Sequence, residues 1–234
     1  MVSKNNKTTS GNYTKKIVTI SMLCAVAYTV TVVFRIPIVP AATFLKFDMK
    51  DVVLVMGGFL YGPAYAFLMS VVVSLLEMFS VSQEGMWGCA ANILSSSSLI
   101  CTAGFIYQKR KTLGGAIIGL ITGVILMAGV MALWNYLAVP IYKGFPQKAV
   151  AEMLLPVFIP FNLFKGGVNS VITMLLFKPL VTALYRADLI EPPIIGRRST
   201  VMKWIFIGAG VITAAVILIV VLKFEPSILK NTGS

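Results

Sequence analysis

The sequence predicts an all-α membrane protein, with most of the chain in helices that cross a bilayer. Three observations carry this. Of the 234 residues 58% are hydrophobic and 12% charged, with a mean hydropathy of +0.89. The apolar residues come in runs such as 88–106, 113–139 and 201–222, each near or above the roughly 20 residues needed to cross about 30 Å of hydrocarbon. The 20 Lys and Arg residues cluster at the ends of these runs. A water-soluble globule cannot hide that much apolar side chain. The net charge of +12 therefore reads as a topology signal, not as a nucleic-acid surface, which would gather its cations on one face.

The chain opens on a polar tail, 1–14. The apolar run 17–34 is too long, and lacks the cleavage pattern, for a secretory signal, so helix one is a retained span at 15–36. A loop at 37–50 leads to a short helix two at 51–61, and Tyr61-Gly62-Pro63 breaks the chain before helix three at 63–80. Helix four follows at 88–107, helix five at 112–138 and helix six at 155–185. A linker at 187–200 carries Pro192-Pro193 and Arg197-Arg198, then a seventh apolar helix covers 201–222 before an external tail at 223–234. The organisation is thus a six-helix unit, 15–186, with an appended anchor.

Basic residues orient this unit. Lys4, Lys7, Lys15 and Lys16 precede helix one, Lys109, Arg110 and Lys111 follow helix four, and Arg186, Arg197, Arg198 and Lys203 separate helix six from the seventh. With the N-terminus in the cytoplasm all three groups lie inside. The outer loops and tail hold fewer: Arg35, Lys46, Lys50, Lys143, Lys148, Lys223 and Lys230. That bias obeys the positive-inside rule and requires an even number of spans before Arg186.

Composition also excludes chemistry. There is no histidine, which removes HExxH metal sites, Ser-His-Asp triads and histidine proton relays together. Cys24, Cys89 and Cys101 have no CxxC spacing and read as small buried thiols. No GxxxxGK[ST] loop is present, so the chain has no P-loop route to ATP hydrolysis.

Polar groups at membrane depth are expensive unless paired or facing a cavity, which makes each a functional candidate. Asn162 and Lys165, in Phe161-Asn162-Leu163-Phe164-Lys165-Gly166-Gly167, share a helical face at i and i+3, just after Pro156 and Pro160. They read as an amide and an ammonium aimed at a polar ligand near the outer surface; a snorkelling lysine beside a capping asparagine is the bland alternative. The loop Phe44-Leu45-Lys46-Phe47-Asp48-Met49-Lys50-Asp51, stiffened upstream by Pro37 and Pro40, has the length of a lid, and Asp48 or Asp51 is placed to cap helix two. Glu77, Trp87, Asn92 and Trp134-Asn135-Tyr136 gather near the same outer depth. Aromatic faces, several amides, an ammonium and a carboxylate suit a flat heteroaromatic molecule with imide-like edges. They suit ion conduction badly, because no ring of acids crosses the midplane. On helix one, Ser21 and Ala25 stand in small-xxx-small spacing, either an internal packing face or a surface for another helix.

These features, in this order, resemble the substrate-binding S components of energy-coupling factor (ECF) vitamin transporters, specifically the riboflavin type. The resemblance covers about residues 15–186 and rests on FLKFDMKD, GGFLYGP and FNLFKGGVNS. It implies a six-transmembrane-helix S-component bundle in a bacterial cell membrane, here with the seventh helix added. It implies that 15–186 is the substrate-binding domain, and that a transmembrane coupling subunit and two cytoplasmic ATPases are partners. By motif match Asn162, Lys165 and Asn135 contact the flavin ring, and the 41–47 loop (within it Ala42, Thr43, Phe44, Leu45, Lys46 and Phe47) is the lid. Glu77, Gly85, Met86 and Asn92 are further carry-overs. The family's alanine-rich docking face on helix one shrinks here to Ser21 and Ala25 within Ser21-Met22-Leu23-Cys24-Ala25. The expected activity is binding and uptake of riboflavin, with no cofactor, no nucleic-acid partner and no catalysis. Another vitamin, a flavin phosphate, an intramembrane enzyme and a self-sufficient secondary transporter stand as alternatives.

Overall fold

The computed structural model of the protein describes residues 5–39 and 42–189, and no side chain before Tyr13. The expected seventh helix at 201–222, the tail at 223–234, most of the 187–200 linker and Ala41 of the lid lie outside the described residues. The chain divides into two units, Met1–Gly196 and Arg197–Ser234, and every element named below belongs to the first.

Helix α1 covers Asn5–Val33, and strands β1 (Ile36–Pro37) and β2 (Lys46–Phe47) pair antiparallel, Ile36 opposite Phe47 and Pro37 opposite Lys46. Then come α2 (Lys50–Tyr61), α3 (Pro63–Ser80), α4 (Gly85–Arg110), α5 (Leu113–Lys143), α6 (Gln147–Met153) and α7 (Ile159–Arg186). Among the described residues, five stretches are long and apolar enough to cross a membrane: Tyr13–Val33, Pro63–Ser80, Gly85–Arg110, Leu113–Lys143 and Gln147–Arg186.

Local chemistry explains the joints. Gly62 takes a φ of +93°, open to glycine alone at little strain, and Pro63 starts α3 where no amide donor is missed. Thr112 caps α5 by accepting the Gly115 N–H, and Gly144 at φ +70° ends it. Helix five thus runs on to Lys143 rather than ending at 138, because Pro140 is tolerated inside it. Helix six was expected to begin at 155 but begins at Gln147. A π-helical turn, Leu154–Phe158, joins α6 to α7, with the Ile159 N–H reaching back to the Leu154 carbonyl. Pro156 and Pro160 remove two rungs of the i→i−4 ladder, and the wider turn absorbs the loss instead of ending the helix.

Helix α2 is the axis of the bundle. Every residue from Lys50 to Phe59 is buried, packed among α1, α3, α4 and α7. The apolar core around it includes Leu23, Leu54, Met69, Leu99, Ile100 and Met127. Glycines allow the closest approaches: Gly58 of α2 meets Gly104 of α4, and Gly119 and Gly123 of α5 lie on the α4 backbone at Ala103 and Leu99.

Side-chain pairs fix which termini share an end of the bundle. At one end Lys15 pairs with Asp188, and the Lys16 ammonium sits over the Tyr65 ring. At the other, Lys46 donates to Gln83, Lys143 pairs with Glu84, and Trp87 stacks on Tyr142. Helix α2 runs from the second end toward the first, yet its 12 residues reach only about 18 Å of the roughly 30 Å of hydrocarbon. The loop before α2 therefore descends into the bundle. Ala42, Leu45, Phe47 and Asp48 are buried, which is where non-helical backbone at membrane depth is tolerated.

Candidate binding site

At the foot of that loop lies a cluster of buried charge. The Lys165 ammonium donates to Asp48 Oδ2 at 2.7 Å, and the Asn169 side-chain N–H donates to the Asp48 carbonyl at 3.1 Å. Asn162, Lys165, Asn169 and Thr173 form one polar stripe down α7, and all four are at least 96% buried. Two turns of the same face thus grip one loop residue by both side chain and backbone.

Lys50, fully buried, donates to both carboxylate oxygens of Glu77 at 2.8 and 2.9 Å, and Asn92 donates to Glu77 Oε2 at 2.7 Å. Asp51 Oδ1 accepts from Ser96 at 2.5 Å. The Asp48–Asp51 segment is thereby tied to α3, α4 and α7 together. Neither acid caps α2 as expected: the residue at the cap is Met49, without a side-chain bond, and both carboxylates turn into the bundle toward α7 and α4. Lys50, expected among the external topology charges, is a buried ion-pair partner instead. A charged pair in such surroundings needs good geometry and further hydrogen bonds to offset desolvation, and Asn92 supplies one.

Lys46, higher in the loop, is pushed below the ordinary lysine range by burial and by the Arg35 and Lys143 charges, with Glu84 opposing.

Aromatic rings close the end of the bundle that holds Lys46 and Lys143. Phe44 lies 6.4 Å from Tyr142 and 6.2 Å from Phe158, Phe47 lies 5.5 Å from Phe164, and Trp87 contacts Trp134 at 6.1 Å. The lid residues therefore rest on α5 and α7. Asn135 and Asn162 are buried, each donating one N–H to the carbonyl four residues back, Met131 and Phe158. Each amide keeps its oxygen and a second N–H to offer.

Of the remaining sequence-predicted residues, Ala42 and Leu45 are buried in the lid and Thr43 is exposed. Glu77 accepts from both Lys50 and Asn92. Gly85, at φ +54°, and the exposed Met86 begin α4 at the end of the bundle that holds Lys46 and Lys143. Ser21 and Ala25 are exposed on α1 while Leu23, Cys24 and Ala27 face the core, so among the described residues their face is not an internal packing surface.

Sequence reasoning missed Ser96, Asn169 and Thr173, read Lys50 as an outer-loop charge, and read Asp48 and Asp51 only as caps. A signal existed for two of them. Asn162, Lys165, Asn169 and Thr173 stand at i, i+3, i+7 and i+11 on an apolar helix, the spacing of one face.

The family profile described as ECF transporter, substrate-specific component matches residues 15–177. The chain belongs to the ECF transporter substrate-specific components. It is 34% identical over 180 residues to the riboflavin transporter RibU of Staphylococcus aureus, covering 74% of this chain and 93% of the relative. It is 27% identical over 172 residues to the riboflavin transporter FmnP of Bacillus subtilis, covering 70% of this chain and 90% of the relative. A solved structure described as the S component of a bacterial ECF transporter superposes with a TM-score of 0.64 at 31% identity, covering 74% of this chain and 98% of the other. This substrate-specific component is thus a membrane-embedded, mostly helical transporter subunit and not an enzyme. The family profile ends at 177, so the apolar run 201–222 lies beyond the matched region.

Proposed function

We propose that this substrate-specific component binds riboflavin at its outer face and admits it to the cell as one subunit of an ATP-driven ECF transporter. The observation that carries the reading is the meeting of the descending loop with the α7 stripe. Lys165 and Asn162 lie at membrane depth under aromatic lid residues, in a chain whose relatives are riboflavin transporters. The ring of riboflavin presents carbonyl oxygens flanking an imide N–H along one edge. Lys165 has N–H groups beyond the one held by Asp48, and the Asn162 and Asn135 amides offer both donors and acceptors. Phe44, Phe47 and Phe158 supply apolar faces for the ring, with Ala42 to Phe47 as the lid. Glu77 and Asn92 act from behind the loop by fixing Lys50, and Gly85 and Met86 stand at the mouth.

Six crossings place the two ends of the domain together. Lys15 and Asp188 pair although five full-length spans lie between the tips of the chain segment 13–186. An odd number of crossings would set them on opposite sides, so the short α2 counts as the sixth. The basic residues then put the N-terminus in the cytoplasm. The domain is 15–186, with 187–200 as a cytoplasmic linker, 201–222 as a seventh span and 223–234 outside. Ser21 and Ala25, exposed among the described residues, belong to the face that docks the coupling subunit.

Protein purified in detergent is expected to quench riboflavin fluorescence stoichiometrically. Asn162→Ala and Lys165→Ala should each weaken binding about 5- to 150-fold, the consequence of losing a hydrogen bond to a buried polar edge. Titration curves unchanged in both variants would exclude this site.

A further inference from the structure

A lysine at depth is not in itself a directed donor. Its four-carbon stem is flexible and its ammonium turns outward to water wherever it can. Lys165 does not: it is 4% exposed, and one N–H is fixed on Asp48 Oδ2 at 2.7 Å. The alternative cation for Asp48, Lys50, stands at 4.0 Å and is already held by both oxygens of Glu77. Asp48 itself is anchored from outside its side chain, because Asn169 bonds its backbone carbonyl. Its second carboxylate oxygen, Oδ1, is buried without a hydrogen-bond partner among the described residues. The carboxylate is therefore set in place by the backbone, with Lys165 the nearer of its two ammonium neighbours.

We propose that Asp48 is the positioning residue for Lys165: it fixes one of the three N–H groups of the ammonium so that another points at the carbonyl edge of the ligand, and in doing so ties the lid to α7. The proposal rests on the reading of Lys165 as a riboflavin contact. It makes a loop residue outside the 42–47 lid part of the recognition machinery, acting through Lys165. It also separates charge from fold. Asp48→Asn keeps the size of the side chain and leaves the Asn169 bond to the backbone, removing only the charge that orients the ammonium.

The test is a double-mutant cycle on riboflavin affinity, read by fluorescence quenching for wild type, Asp48→Asn, Lys165→Met and the double variant. A charge-assisted bond is about twice as strong as a neutral one, so Asp48→Asn is expected to weaken binding about 10-fold in the wild-type background. In the Lys165→Met background it should change affinity by less than about 2-fold, because nothing remains to be positioned. Asp48→Glu, which keeps the charge, should recover most of the loss. If Asp48→Asn does not fold, Asp48→Glu against Asp48→Gln, equal in size and different in charge, makes the same comparison. Equal losses on both backgrounds, or no loss at all, would overturn the role of Asp48 while leaving riboflavin binding intact. A wild-type protein that binds no riboflavin overturns the functional reading, and this inference with it.

Discussion

The contact between α4 and α5 offers a quantitative test of the fold that carries the site. A Cβ added at Gly123 would stand 2.7 Å from the Leu99 carbonyl oxygen, and one at Gly119 would stand 2.9 Å from that of Ala103. Non-bonded heavy atoms rest at about 3.5 Å, so the two alanine variants intrude by roughly 0.8 and 0.6 Å. The obstacle is backbone in both cases, which cannot rotate aside, and the helices must part. Overpacking of this kind costs about 1–3 kcal/mol. For a chain of this size each kcal/mol moves Tm by about 2–4 °C, which gives a fall of about 2–12 °C for either variant. Gly129, on the same helix, has no heavy atom within 4 Å of its added Cβ. Gly129→Ala should be neutral or, through helix propensity, raise stability by up to about 1 kcal/mol. At Gly57 the added Cβ would crowd the flexible end of Met69, at 2.6 Å from Sδ, with Leu23 Cδ1 in ordinary contact at 3.7 Å, and a smaller loss is expected than at Gly123. The measurement is thermal unfolding in detergent, followed by tryptophan fluorescence and by the monodisperse fraction on size exclusion. Equal midpoints for Gly123→Ala and Gly129→Ala would refute the close α4–α5 approach.

One further outcome follows from the buried charges. Glu77→Ala takes from the buried Lys50 ammonium both of its short contacts and leaves Asp48 at 4.0 Å; it is expected to cost about 3–5 kcal/mol, whereas Lys50→Met with Glu77→Gln removes both charges and should recover most of that loss. Thermal midpoints of the three variants decide it, and a double variant less stable than Glu77→Ala alone would contradict the pairing.

The membrane class of this protein was legible from composition and run length, because bilayer thickness fixes span length whatever the packing. Basic residues at the run ends gave an orientation for the same reason: they report on water and headgroups, not on neighbours. Joints at Gly62-Pro63 and Thr112 were readable in the chain, since turn and cap chemistry is local. The lysine and asparagine on α7 stood out because a polar side chain in an apolar run is costly unless partnered. Their partners did not stand out. Asp48 and Lys165 lie 117 residues apart, and Lys50 and Glu77 lie 27 apart. No periodicity links such positions, so Asp48 read as a cap and Lys50 as an outer-loop charge. Pro156 and Pro160 read as a bend or a helix start, and Pro160 does stand in the first turn of α7; what local chemistry did not show is the π-helical turn that joins α7 to α6. What the sequence by itself determined is where the chain must be apolar, where it turns and which polar residues needed an explanation. Only the tertiary structure decided that explanation: α2 is too short to cross the hydrocarbon, the loop before it descends, and its charges are stabilised by partners that distant segments bring into hydrogen-bond range.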